Sequence, residues 1–207
     1  MRERRPMYRW RKMTDEERQE VLAERQRQIR AWHGPPHYRS ASDHYMITAA
    51  CFDHRPIIGE SWERLAEFER LMLDAVRSHS QHIFAWNVLP NHYHLIIQSA
   101  TVFQLLQEIG RTHGRTSYRW NREDNCRGRQ VWHRAAETGI KSERHFWAAF
   151  NYVLHNAVKH GYVEQWQDWP FSNAVEYLNQ VGREIAEERW REFPLLDFGK
   201  DWDPPEL

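Results

Sequence analysis

Three features of this 207-residue chain predict an α+β fold built on an antiparallel sheet. Two apolar runs meet at a Pro-Asn turn, amphipathic helical stretches lie on either side of them, and a long helical segment follows the last extended piece. In chain order, Thr14 followed by Asp15, Glu16 and Glu17 reads as a helix N-cap with acids in the first turn. That helix should run to about Trp32, where Gly34-Pro35-Pro36 stops it. His44 to Phe52 is the first strand, and Asp53 to Gly59 the loop that leaves it. From Ser61 to about Ser80, Leu65, Phe68, Leu71, Met72, Ala75 and Val76 recur at helical spacing, so one apolar face should lie on a sheet. Residues 83–89 and 92–98 are two strands joined through Pro90 and Asn91 as a hairpin. Residues 102–120 return to helical spacing, a basic loop follows, and a short extended piece lies near Val131 to Ile140. A helix from about Ser142 to Lys159 ends at Gly161.

The order β-α-β-β-α-β plus a further helix is the ferredoxin-like (RRM-like) arrangement, with helices on one face of the sheet. The expected organisation is a basic helical arm over 1–40, a main domain over 41–180 and a helical C-terminal extension over 181–207.

No apolar run approaches the roughly 20 residues needed to cross a bilayer, and the basic start lacks an apolar segment behind it, so a cytoplasmic protein with no membrane partner is expected. Cys51 and Cys126 have no metal-ligand spacing, so neither a disulfide framework nor a cysteine zinc site is expected. The formal net charge is zero, but its distribution is uneven. Arg2, Arg4, Arg5, Arg9, Arg11 and Lys12 crowd the N-terminus. Arg111, Arg115, Arg119, Arg122, Arg127, Arg129 and Arg134 crowd the middle, interleaved with Tyr118, Trp120 and Trp132. Such a mixture grips phosphates and stacks bases; a solvated helix face is the bland alternative.

His92 and His94 alternate with Tyr93 and Leu95 on a strand, so both imidazoles point to one face. Two imidazoles can share a divalent cation or can simply be packed, and a catalytic metal needs at least a third ligand. The next position on that face is Ile96, which disfavours a triple-histidine nucleotide hydrolase, and no zincin pattern occurs. On the last long helix, Phe146, Phe150, Val153, Leu154 and Ala157 form the stripe expected to pack on the core. Tyr152 lies roughly opposite its centre, aligned with His145, Asn156 and Lys159, with Ala148 and Ala149 clearing space beside it. An exposed tyrosine on a polar face would look the same.

The stretch LPNHYHLIIQ followed by FNYVLHNAVKHGYV resembles the HUH single-tyrosine transposases, and more closely the REP-associated tyrosine transposases of bacteria. WPFSNAVEYL is similar to a further segment of that group, and the resemblance spans roughly residues 43–178. Ala157 replaces the family's common proline, and Asn173 its usual second serine. The resemblance implies that His92 and His94 bind a divalent metal, Mg²⁺ or Mn²⁺, that Asn156 supplies the third ligand and that Tyr152 is the nucleophile. It implies attack on single-stranded DNA, giving a 5′-phosphotyrosine and a free 3′-hydroxyl, with a hairpin bearing single-stranded flanks as substrate.

His155 is a candidate for an extra metal or phosphate contact or a proton shuttle, and Lys159 for a phosphate contact. Trp132 and His133 are placed near the DNA path. Arg111, Arg115, Arg119, Arg122, Arg127 and Arg129 are the candidate backbone contacts. The protein should act as a monomer or homodimer. The competing classes are a non-catalytic DNA-binding module descended from such an enzyme, and a hydrolase that uses water in place of tyrosine.

Overall fold

Alternation of inward and outward residues in the three longest strands builds the sheet that carries the histidine pair. The computed structural model describes residues 43–195 together with Thr14 and Glu16. The expected arm and the end of the C-terminal tail lie outside the described residues. Strand β1 (His44–Ala50) is followed by helix α1 (Trp62–Arg77), strands β2 (His82–Val88) and β3 (His92–Gln98), helix α2 (Val102–Glu123) and strand β4 (Ala136–Gly139). Helices α3 (Glu143–Lys159), α4 (Ala174–Val181) and α5 (Arg183–Glu192) complete the described chain. The sheet is antiparallel in the order β2-β3-β1-β4, the ferredoxin-like topology expected.

The helix boundaries have local causes. Ser61 accepts the Arg64 N–H at 3.1 Å and caps α1, and Ser142 accepts the His145 N–H at 3.1 Å and caps α3. Gly161, with φ of 72°, takes the left-handed conformation just beyond the α3 C-cap. Gly182, with φ of 81°, breaks the expected C-terminal helix into α4 and α5.

The two sheet faces are built from alternate residues. Tyr45, Ile47, Tyr93, Leu95 and Ile97 join Leu65, Phe68 and Met72 of α1 and Leu105, Ile109 and Trp120 of α2 in one core. Met46, Ala85 and Ile96 point the other way and join Ala149, Phe150, Tyr152, Val153 and Leu154 of α3. The helices of the β-α-β-β-α-β unit thus share one face, as expected, and α3 occupies the other. An ion-pair cluster ties the start of α1 to the end of α2: buried Arg64 donates to both Asp124 oxygens, at 2.7 and 3.1 Å. Arg64 and Arg129 together hold the Asp124 carboxyl down at about 2.

The segment after α3 closes the β2 edge of the sheet. Val88 N–H donates to Phe171 carbonyl at 2.8 Å, and the Asn173 side chain accepts from Trp86 N–H and donates to Phe84 carbonyl. One amide side chain thereby satisfies edge-strand groups that would otherwise face solvent. Asn173, standing where the resembled group usually has serine, is well suited to this because it both donates and accepts.

Candidate active site

β3 places His92 and His94 on the face covered by α3, and both are buried, each 1 % exposed. Antiparallel register sets Asn87, His94 and Thr48 in one row across three strands. Thr48 Oγ1 lies 2.9 Å from His94 Nδ1. On His92, Nδ1 lies 2.6 Å from Asn91 Oδ1 and Nε2 lies 2.8 Å from Asn156 Oδ1 of α3. The orientation of Asn91 is fixed because its Nδ2 donates to the His54 carbonyl at 3.2 Å. The His92 and His94 rings are 5.0 Å apart, and the Tyr152 ring stands edge-on to His94 at 5.1 Å. The phenol, the amide and both imidazoles therefore converge at one place within a single chain.

Tyr152 and Asn156 do not form an exposed polar stripe. They are 1 % and 0 % exposed and lie against the sheet, while Phe150 packs on Tyr177 of α4 at 4.7 Å. The reason is that α3 is covered on two sides, by the sheet and by the C-terminal helices, so its apolar stripe does not monopolise burial. Asn87 fixes the register: its Nδ2 donates to the Val153 carbonyl at 2.9 Å, clamping the residue next to Tyr152 onto the row that holds His94. Ala157 is fully buried and α3 continues unbroken through it.

The surroundings sort the remaining candidates. Lys159 Nζ lies 3.5 Å from the Tyr152 hydroxyl and 4.9 Å from the centre of its ring, so a cation does attend the phenol. His155, a candidate ligand or shuttle, instead stacks on Trp190 of α5 at 3.6 Å and faces Trp166 at 5.2 Å. Burial there pushes its pKa down to about 4. Its ring is a docking point for the C-terminal helices, as is Asn151, whose Nδ2 donates to the Arg189 and Phe193 carbonyls. His145 stays at the start of α3, accepting from Lys141 N–H at 3.3 Å. Trp132 is in the opposite core, stacked on His113 at 4.2 Å. His133 donates its backbone N–H to Ala50, the residue paired with His92.

The arginine stripe occupies the layer opposite the histidine pair, because α2 packs on the other sheet face. Arg111 and Arg115 pair with Glu108, Arg119 with Glu67 and Glu123, and Arg129 with Asp124, while Arg122 and Arg127 are exposed. Arg129, half-buried and also bonded to Asn121 at 2.9 Å, holds the fold together rather than presenting a free charge.

Sequence reasoning missed three supports of the pocket. Asn91 and Asn87 are polar residues in apolar runs, and two buried amides beside a histidine pair were the available signal. Gly59 gave no signal. A Cβ there would come within 2.3 Å of Pro90, and its N–H donates to the Pro90 carbonyl at 2.9 Å, so only glycine lets this turn seat the loop before His92.

The donor set fits a divalent cation. Asn91 Oδ1 and Asn156 Oδ1 face the two ring nitrogens of His92, so an amide oxygen and an imidazole nitrogen stand side by side where one ion could take both. Adjacent ligands on an octahedral ion with bonds of about 2.1 Å sit about 3.0 Å apart, close to the observed Nε2 to Oδ1 separation. Neutral nitrogen and amide donors would leave the charge of such an ion intact. Among the described residues, no group of three or more histidine, cysteine or acidic side chains offers a rival site.

A ferredoxin-like sheet presenting a histidine pair to a tyrosine-bearing helix defines a class. The family model described as "Transposase IS200 like" matches residues 41–159, and the chain belongs to that family. It is 28% identical over 124 residues to a REP-associated tyrosine transposase of Haemophilus influenzae, covering 55% of this chain and 69% of that relative. Among solved structures, it is similar to a REP-associated tyrosine transposase bound to a REP hairpin, with a TM-score of 0.51 and 21% identity over 83% of this chain and 93% of the other. The fold agrees with that neighbour. Among the described residues no helix is long and apolar enough to cross a membrane.

Proposed function

We propose that this chain cuts and rejoins single-stranded DNA through a covalent tyrosine intermediate. The observation that carries the reading is the convergence of Tyr152, His94, His92 and Asn156 in one chain, with the phenol ring 5.1 Å from His94 and Asn156 Oδ1 2.8 Å from His92 Nε2. Tyr152 Oη attacks a backbone phosphorus; the Oη–P bond forms, the bond to the 3′ oxygen breaks, and the phenolic proton is exchanged for one on the released 3′-hydroxyl. A 3′-hydroxyl attacking the phosphotyrosine reverses the step, so rejoining needs no external energy source. Lys159, beside the hydroxyl, favours the developing phenolate and meets the phosphate. His92, His94 and Asn156 would hold Mg²⁺ or Mn²⁺, which supplies positive charge for the non-bridging phosphate oxygens. The structural neighbour is bound to a REP hairpin; the substrate class is folded-back DNA, with the single-stranded flanks that the sequence resemblance implies.

Tyr152→Phe tests the chemistry. Incubation of the native chain with a flanked hairpin and Mn²⁺ should give a covalent adduct on a denaturing gel, and Tyr152→Phe should lose it by on the order of 10⁴-fold while still binding DNA. An undiminished adduct in that variant would sink the assignment. Because the groups converge within one chain, mixing Tyr152→Phe with His94→Ala should not restore the adduct; restoration would place the tyrosine in trans.

A further inference from the structure

A line of aromatic rings leaves the pocket on the side of His92. The His160 ring lies 4.9 Å from His92, Tyr162 lies 6.4 Å from His160, and Trp169 lies 5.4 Å from Tyr162. Trp62 completes the line, 6.1 Å from Trp169 and 5.1 Å from Phe171. Trp169 and Phe171 form a fixed base: both are buried, and Trp169 Nε1 donates to the Val88 carbonyl at 2.9 Å. The rings above them are uncovered, with Trp62 60% and Tyr162 37% exposed. A single exposed aromatic residue needs no explanation, but two on one rigid aromatic base, in line with a candidate catalytic pocket, form a patch with a direction.

We propose that Trp62 and Tyr162 are a base-stacking ledge for the single-stranded DNA flank that enters the Tyr152 pocket. The inference rests on the strand-transfer reading and adds the surface that holds the flank. Flat rings on a fixed support bind the π-faces of successive bases irrespective of sequence, which suits a strand that must be unpaired at the cleavage point. The charges nearby favour base faces over backbone. Glu60 and Glu63 bracket Trp62 in sequence and repel phosphate, whereas Lys159 stands at the pocket end. The strand therefore lies with its bases on the rings and its phosphates turned outward until it reaches Lys159.

The test uses the full chain with Tyr152→Phe, so that binding is read without covalent capture. Fluorescence anisotropy would compare a hairpin carrying a thymidine flank with the same hairpin trimmed of it, for Trp62→Ala, Tyr162→Ala and Trp62→Phe. Each alanine variant is expected to weaken the flanked hairpin roughly tenfold, to leave the trimmed hairpin unchanged and to keep the same salt dependence, since no phosphate contact is lost. Trp62→Phe should retain most of the affinity. Unchanged melting temperatures establish that the variants fold. Equal affinity of all variants for the flanked hairpin would overturn the ledge, as would an equal loss on both hairpins. A concentration-dependent dimer in sedimentation that Trp62→Ala dissolves, with flank affinity unchanged, would overturn it in favour of a second copy of this chain. The underlying reading is judged separately by the adduct: a native chain that forms none, yet shows flank binding dependent on Trp62, would lose the strand-transfer reading and keep the ledge.

Discussion

Both faces of the sheet are covered, and they are made of different matter. Under α1 and α2, Tyr93, Leu95, Ile97, Phe68 and Trp120 close a mostly apolar core whose inner polar contacts include Tyr93 Oη to His113 Nε2 at 3.0 Å and Trp132 Nε1 donating to Thr116 Oγ1 at 3.1 Å. Under α3, the same strands present Asn87, His92, His94 and Thr48 to Tyr152 and Asn156. Burying polar groups is costly unless every one is met, and an apolar residue of similar size would fit either face at less cost. The difference teaches that burial does not separate a site from a core; the density of mutually directed polar groups does.

That contrast can be broken from either side. The largest stability effect is expected on the apolar face: Phe68→Ala should cost about 3–5 kcal/mol in denaturant unfolding, while any adduct formed by the remaining folded protein is chemically unchanged. A smaller stability change with a larger functional consequence is expected across the sheet. Asn87→Ala removes the clamp on the Val153 carbonyl and should cost about 1–3 kcal/mol, and should lower adduct formation beyond what the folded fraction explains. If adduct formation tracks folded fraction alone, the clamp has no part in positioning Tyr152.

A third probe, smallest per step, is pH. Burial holds the His113 pKa down to about 3 against an ordinary value of 6.5. Above about 6.5 the ring is neutral folded or unfolded and contributes no pH dependence. Below that, the unfolded chain takes up a proton that the folded one refuses, so stability falls by about 1.4 kcal/mol per pH unit until about pH 3. Replacing His113 by Gln should flatten that slope in urea titrations run between pH 6.5 and 4.5; an unaltered slope would assign the acid sensitivity to other groups.

How much of this was legible beforehand depended on whether the cause was local. Strand alternation put His92 and His94 on one face, helical spacing located α1, α2 and α3, and Ser61, Ser142 and Gly161 marked ends that the structure places within a residue or two, while α1 stops three residues short of Ser80 and α2 runs three residues past 120. Helical spacing also aligned Tyr152 with Asn156. It misjudged the surroundings of both, because a helix covered on two sides buries its polar stripe as well as its apolar one. His155 and Trp132 were equally out of reach: what each touches is a residue far along the chain, Trp190 in the first case and His113 in the second.

The sequence by itself determined the class of fold, the paired imidazoles and the tyrosine with its amide one turn on, since periods of two and 3.6 residues are properties of the backbone. Only the tertiary structure decided that imidazoles, amide and phenol meet, that the arginine stripe stands on the far layer, and that Gly59, Asn87 and Asn91 hold the pocket in place. Those outcomes depend on which face of the sheet each helix covers, and that choice is made by the summed packing of distant residues rather than by any local pattern.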